Sequence, residues 1–338
     1  MVPERSPVRY IKAFLWILCV VLLMGMLAGC AGSPTAPEQD TVDVQLKWVH
    51  QAQFAGFYVA QEKGYYEEEN LAVSLHEGGP DVDLFQQVLS GAVDYAVVSP
   101  EDLLVKRGQG EPLTAIAVIY RQNPMTFVAM EGSGIKRPAD ILGQTVAVAP
   151  DGIIQFRALM NRLDLDLDQI EFGEYDYAYG SFIAGEVDVT EAYATGGIIR
   201  LHNQGYALNV IWPDDYGVHF YADTLVARDE FIAKNPQLTT RFLRATLRGW
   251  QEAMGNGWEA VEMTMKYAQE SDPEVQRQML EASIPLVHTG KNYPGWMEKN
   301  IWQSMYEVLH EEGMLDASFP VDEVYTMQFV EEVYERAD

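Results

Sequence analysis

Short apolar runs alternate with amphipathic stretches from Val42 onward. Val42–Trp48, Ala72–His76, Tyr95–Val98 and Leu113–Tyr120 read as strands. Between them, Phe54–Lys63, Val82–Leu89 and Glu101–Arg107 read as helices, the first ended by Gly64. The alternation predicts an α/β sheet with helices on both faces. It starts again near Thr126. Thr145–Ala149 and Ile170–Phe172 are expected strands, a further strand follows Gly185-Glu186-Val187-Asp188, and Leu208–Trp212 and Thr224–Ala227 complete the set. Ile153–Leu163 and Gly197–Asn203 are the helices of this second run. After Asp229 the pattern is helical: Leu238–Met254, Trp258–Gln269, Pro273–Ala282, Trp296–Glu312 and Val321–Tyr334. Asp272-Pro273-Glu274 is a good helix start, with proline in the first turn. These late helices are expected to be scaffold packed on one lobe.

The two runs echo each other. Leu89-Ser90-Gly91-Ala92-Val93-Asp94-Tyr95-Ala96 is matched by Ile183-Ala184-Gly185-Glu186-Val187-Asp188-Val189-Thr190. In each, a helix end meets a glycine able to take the left-handed closing conformation, then a small loop, an Asp and a strand. Two similar α/β lobes explain the echo most simply.

Composition narrows the function. The 338 residues are 48% hydrophobic, enough for a core, and carry a net charge of -27, which argues against nucleic-acid binding. The only cysteines are Cys19 and Cys30, so the globular part is expected to hold no disulfide, thiol nucleophile or cysteine metal site. Arg5, Arg9 and Lys12 precede an apolar run from Ala13 to Gly29, a secretory-signal pattern over residues 1–29. The run ends in Leu27-Ala28-Gly29-Cys30, which resembles the bacterial lipobox and makes Cys30 the expected lipidated first residue. The small, polar, proline-bearing stretch that follows, within residues 30–41, reads as a flexible tether. The expected location is the outer face of the cell membrane, held by a lipid anchor.

Leu46 to Val82, with Val98–Leu104, Gly143–Val148 and Val210–Val218, resembles the extracytoplasmic solute-binding proteins of ABC importers, in the branch that binds pyrimidine precursors of thiamin (ThiY-like). The resemblance implies a type II-like periplasmic-binding-protein fold: two α/β lobes joined by two crossover strands, with extra C-terminal helices on lobe one. Lobe one would be residues 43–124 plus 224–338 and lobe two residues 125–223. The ligand would lie between them, beyond the carboxyl ends of the strands, with hinge closure as the mechanism. It also implies a monomer whose partners are a small molecule and an ABC importer permease, with no catalytic residues, cofactor or metal.

Aromatic residues crowd the expected strand ends. Trp48, Phe54, Tyr120, Tyr177, Tyr193 and Tyr216 are candidate walls for a flat heterocycle. Gln51, Gln53, Ser99 and Asn123 are candidate polar partners. Phe57 and Tyr58 read instead as the buried face of a helix. Asp151-Gly152 opens a helix whose amides suit a ligand oxygen. The sequence departs from the pyrimidine binders at two places. His50-Gln51-Ala52-Gln53-Phe54 replaces their Pro-Asn-x-Asn-His run, and Gly196-Gly197-Ile198 stands where they often carry Asn-Glu-Pro. The second change removes a carboxylate and adds room. A larger, less basic ring system follows, as in the riboflavin-binding RibY-like lipoproteins. Riboflavin is therefore the expected ligand and a pyrimidine thiamin precursor the alternative.

Chemistry for other functions is thin. There is no Gly-x-Ser-x-Gly elbow, phosphate loop or His-Glu-x-x-His motif. Asp164, Asp166 and Asp168 lack the glycine and closing glutamate of a calcium loop. Ser133-Gly134-Ile135-Lys136 lacks the companion motifs of an acyl-enzyme site. Relatives of this fold that synthesise the thiamin pyrimidine need a histidine and iron with a cysteine cluster, which the body lacks. A sensor domain is ranked lower because no signalling segment is expected after residue 338.

Overall fold

The computed structural model describes residues 39–150, 152–268, 272–290, 293–315 and 317–335. The signal segment, Cys30 and most of the tether lie outside the described residues. Two five-stranded sheets organise the chain. The first has strands β1 (Asp40–Gln45), β2 (Leu71–His76), β3 (Tyr95–Val98), β4 (Leu113–Tyr120) and β10 (Ala222–Arg228), in the order β2-β1-β3-β10-β4. The second has β5 (Met125–Met130), β6 (Thr145–Ala147), β7 (Glu171–Phe172), β8 (Val189–Tyr193) and β9 (Leu208–Ile211), in the order β7-β6-β8-β5-β9. Each sheet is parallel on one side and takes one antiparallel strand inside, β10 in the first and β5 in the second. The fold is thus two α/β lobes, and the chain passes between their sheets through residues 121–124 and 212–221.

The echo in the sequence is an echo in space. Gly91 (φ 78°) closes helix α3 (Leu84–Ser90), and Gly185 (φ 75°) follows a short helix, Gly180–Ile183. Asp94 then clasps Asp43: its Oδ2 accepts from the Asp43 amide at 3.0 Å and its amide donates to the Asp43 carbonyl at 2.9 Å. Asp188 clasps Thr145 through the same two bonds, both 2.9 Å. In both lobes an aspartate after the glycine sets the register of the next parallel strand.

The C-terminal helices pack mainly on the first lobe. Helix α9 (Pro236–Gly255) crosses α1 (Ala55–Glu62) so closely that a Cβ on Gly249 would stand 2.1 Å from the Gly56 carbonyl oxygen. A Cβ on Gly56 would stand 2.3 Å from the Trp250 indole. Two glycines in facing positions therefore set the helix spacing. Helices α11 (Pro273–Val287), α12 (Lys299–Glu311) and α13 (Gln328–Glu335) complete this layer. The segment 321–334, expected as one helix, is interrupted. The outer amide and carbonyl of Ala115 on edge strand β4 bind the Val324 carbonyl (2.8 Å) and the Thr326 amide (2.9 Å). An edge strand offers unpaired backbone groups, and here the incoming chain satisfies them. No described helix is long and apolar enough to cross a membrane.

Candidate ligand-binding site

A cleft between the lobes is lined from both sides by residues that follow parallel strands. On lobe one, β1 ends at Gln45, whose buried amide donates to the Leu46, His76 and Glu77 carbonyls at 3.1, 3.3 and 2.9 Å. The chain then turns out of the sheet and presents Lys47 and Trp48. Gly78 makes this possible: a Cβ there would stand 2.2 Å from the Leu46 carbonyl oxygen. A tight turn, Ala52–Phe54, follows and presents Gln51 and Gln53. On lobe two, Ala149 follows β6, Tyr175, Tyr177 and Tyr179 follow β7, Glu191 lies within β8, and Tyr193, Thr195, Gly196, Gly197 and Arg200 lie at or after its end. The walls bound about 690 Å³ of space, including the part open to solvent.

Polar contacts tie the lobe-one wall to the protein beneath it. Lys47 Nζ donates to Ser99 Oγ at 2.7 Å and, across the cleft, to the Tyr193 hydroxyl at 3.1 Å. The same ammonium lies 5.5 Å from the Tyr193 ring centroid, a cation–π contact. Gln51 Nε2 donates to Gln53 Oε1 at 2.7 Å, and Gln53 Nε2 to Asp223 Oδ2 at 2.8 Å. Asp223 is fully buried, and loss of hydration pushes its carboxyl up to about 6 despite the nearby Lys47 charge. It sits at φ 36°, strained for a non-glycine residue, where the chain re-enters the first sheet.

Aromatic rings dominate the lobe-two wall. Tyr177 faces Trp48 across the cleft with ring centroids 5.3 Å apart, and Tyr175 meets Tyr177 edge-on at 4.9 Å. Tyr179 is left-handed at φ 62°. Asp176 holds it there, accepting from the Ala178 and Gly180 amides at 2.8 and 2.6 Å. Tyr179 also fills the space in front of Gly197, where a Cβ would stand 2.0 Å from its hydroxyl. The room expected at Gly197 is therefore taken by a side chain of the protein.

Of the residues singled out in the sequence, Trp48, Gln51, Gln53, Tyr177 and Tyr193 line the cleft. Ser99 stands behind it, holding Lys47. Phe54 is 1% exposed in the core of lobe one. Tyr120 is fully buried and its hydroxyl donates to Ser283 Oγ at 2.8 Å. Asn123 joins the crossing segments: Nδ2 donates to the Tyr221 carbonyl at 2.8 Å, Oδ1 accepts from the Met125 amide at 2.9 Å, and its carbonyl accepts from Trp212 Nε1 at 2.9 Å. Tyr216 packs against core residues, and its carbonyl accepts from Arg162 Nε at 2.9 Å. Asp151 lies outside the described residues. Gly152 beside it faces Glu191 Oε2, which a Cβ there would meet at 1.9 Å. A protein carboxylate thus occupies ground where a ligand oxygen was expected.

Sequence reasoning passed over Lys47, Glu191, Thr195 and Arg200. Glu191 had a visible signal, being a charged residue inside an otherwise uncharged strand, Val189–Tyr193. The described residues contain no cluster of three metal-ligating side chains.

A family profile described as NMT1/THI5 like matches residues 51–260. The chain belongs to the NMT1/THI5-like family. Over most of its length it is a ThiY/RibY-like member. It is 27% identical to the riboflavin-binding protein RibY of Chloroflexus aurantiacus over 324 residues, covering 89% of this chain and 91% of that protein. It is 23% identical to the formylaminopyrimidine-binding protein of Halalkalibacterium halodurans, covering 90% and 97%. The aliphatic sulphonate binding protein SsuA of Escherichia coli superposes with a TM-score of 0.69 at 14% identity, covering 85% of this chain and 92% of that one. The family member's fold is therefore that of periplasmic solute-binding proteins.

Proposed function

We propose that this protein is the extracytoplasmic solute-binding component of an ABC importer, anchored by a lipid on Cys30, and that it captures riboflavin between its lobes and hands it unaltered to a membrane permease. The observation that carries this reading is the presence of aromatic rings on both sides of the cleft. Trp48 on one lobe and Tyr177 on the other are in ring contact at 5.3 Å, a contact that a ring entering between them would replace, with Tyr175 and Tyr193 in the same cleft. Rings on both sides favour a flat conjugated solute, and each stacked pair adds about 0.5–1.5 kcal/mol beyond area burial. Similarity to RibY along 89% of the chain supports the choice of a flavin. Binding without catalysis follows RibY and the formylaminopyrimidine-binding protein, both named as binding proteins and matched along 89% and 90% of the chain.

A pyrimidine thiamin precursor is the second reading. Two observations favour it: Glu191 returns a carboxylate to the cleft, and Tyr179 fills the space at Gly197. Protein purified from residue 31 decides between them. Riboflavin fluorescence should be quenched on binding, as the ring stacks on Trp48 and the tyrosines. Unchanged emission at saturating protein, with tight binding of formylaminopyrimidine, would put the second reading in its place. A Cys30→Ser variant should leave the membrane fraction; retention there would count against the lipid anchor.

A further inference from the structure

The lobe-one wall brings two glutamines to the cleft, Gln51 and Gln53, on a backbone held from behind. The Ala52 amide donates to Gln276 Oε1 at 2.6 Å, and the Tyr120 hydroxyl lies 3.4 Å from the Gln53 carbonyl oxygen. What the backbone leaves open is the direction of the two side-chain amides. Half a turn of a glutamine amide exchanges its oxygen and nitrogen at little steric cost, so two in series can run either way. Here they run inward. Gln51 donates to Gln53 Oε1 at 2.7 Å, and Gln53 donates to Asp223 Oδ2 at 2.8 Å. The direction is set at the buried end. Burial pushes the Asp223 carboxyl up to about 6 and the nearby Lys47 charge opposes the rise, so at neutral pH it is mainly a carboxylate. A carboxylate accepts and cannot donate. Its Oδ1 is also buried, with no hydrogen-bond partner among the described residues. Gln53 must therefore turn its nitrogen inward and its oxygen outward, and Gln51 must follow.

Resting on the reading that a flat heterocycle fills the cleft, we propose that Asp223 is a positioning residue for it: through Gln53 it holds the Gln51 amide with its oxygen toward the solute, so that the site takes a heterocycle offering an N–H or O–H at that edge. A solute with only acceptors there sets oxygen against oxygen, and both lose water with nothing gained. Asp223 is 1% exposed and does not line the cleft, so its charge acts on the solute only through the two amides. Asparagine shares the tolerance of aspartate for the positive φ found at this position, but it donates as well as accepts. In Asp223→Asn the reversed relay, with the Gln51 nitrogen toward the cleft, competes with the native one. Adding Gln53→Glu moves the carboxylate one link outward. It then accepts from Asn at 223 and from Gln51 together, and the Gln51 oxygen faces the cleft again at unchanged total charge.

Dissociation constants for riboflavin, and for formylaminopyrimidine as the second probe, are measured with wild-type protein, Asp223→Asn and the double variant Asp223→Asn with Gln53→Glu. Each variant is checked by its melting curve. For the probe that the wild type binds, Asp223→Asn should weaken binding about fivefold, the value of one hydrogen bond, and the double variant should return to within about twofold of wild type. A merely structural Asp223 gives no reason for a second substitution beside it to restore affinity, so a double variant no better than Asp223→Asn overturns the proposal. Wild-type affinity in Asp223→Asn overturns it too and leaves the choice of solute standing. A folded wild type that binds neither probe overturns the flat-heterocycle reading, and this assignment falls with it. If either variant does not fold, Gln51→Glu decides. The new carboxylate meets the fixed Gln53 oxygen, and binding should weaken about tenfold; unchanged affinity means that Gln53 has turned to meet it, which sinks the relay.

Discussion

The two walls of the cleft are built on different principles. The lobe-one wall is a chain of hydrogen bonds running inward from Gln51 through Gln53 to Asp223, with Lys47 held on Ser99 beside it. Gln51 and Gln53 are 8% and 5% exposed although they face the cleft. The lobe-two wall is a loop of rings, with Tyr177 42% exposed and Tyr179 held in a left-handed turn. One side is fixed by the interior of its lobe before any ligand arrives. The other carries most of its contact area on a connection, where side chains adjust at little cost. The contrast suggests that orientation is set from below by polar groups and that fit is made from the side by aromatic surface.

Several substitutions test that division, in falling order of effect. Trp48→Ala removes the one aromatic side chain on the fixed wall and should weaken riboflavin binding by about 2 kcal/mol, some 30-fold, in a titration. A loss no greater than that for Tyr177→Ala would erase the distinction between the walls. Glu101→Gln probes the seam beneath the cleft, where Gln155 of lobe two donates to Glu101 Oε1 at 2.9 Å and both residues are buried. Burial pushes the Glu101 carboxyl up to about 8. A carboxyl raised in the folded state contributes stability that is complete below its ordinary pKa of about 4.5 and is lost as pH climbs to about 8. The melting temperature should therefore fall between pH 5 and pH 8. Glu101→Gln should flatten that slope and raise Tm at pH 8 by about 2–4 °C. A variant as pH-sensitive as the wild type would show that the seam is not the source.

Gly197→Ala tests the aromatic wall from behind. Its Cβ displaces the Tyr179 hydroxyl, and riboflavin affinity should drop about fivefold, near 1 kcal/mol, in a fluorescence titration. Unchanged affinity would mean that the position of Tyr179 does not matter to the solute. Tyr177→Phe keeps the ring and removes only the hydroxyl, so, if the ring is the contact, binding should change by less than about twofold. A larger change would turn Tyr177 from a stacking surface into a polar contact.

Much of the architecture could be read from the chain. The strand–helix alternation and the paired Gly…Asp segments carry both lobes, because such local devices act within a few residues of themselves. Cleft-lining residues were legible where the chain leaves a strand toward the cleft, as at Trp48 and Tyr177. They were not legible where distant helices decide which way a side chain turns. Tyr120 ends a strand as expected, yet its hydroxyl meets Ser283 of α11. The turn containing Phe54 is held by Gln276 of the same helix, which accepts from the Ala52 amide at 2.6 Å. Those helices were read as scaffold, and they are, but they draw inward aromatic groups that would otherwise have faced the solute. Glu191 escaped notice for the opposite reason. Its meaning lies in the cleft it faces, and hydrophobic patterning reports only that it interrupts a strand.

The side chain of Asn123 has a mechanical consequence. Its side-chain amide and its backbone carbonyl bind Tyr221 and Trp212 of the other connecting segment, so the two ribbons are tied together at both ends of that segment. Under the proposed closure of the cleft, a swing of one lobe against the other is expected to turn about these tied segments, with the strained backbone of Asp223 two residues from Tyr221. On that reading, a thicker solute is expected to change the angle at which the jaws stop while the bearing stays as it is.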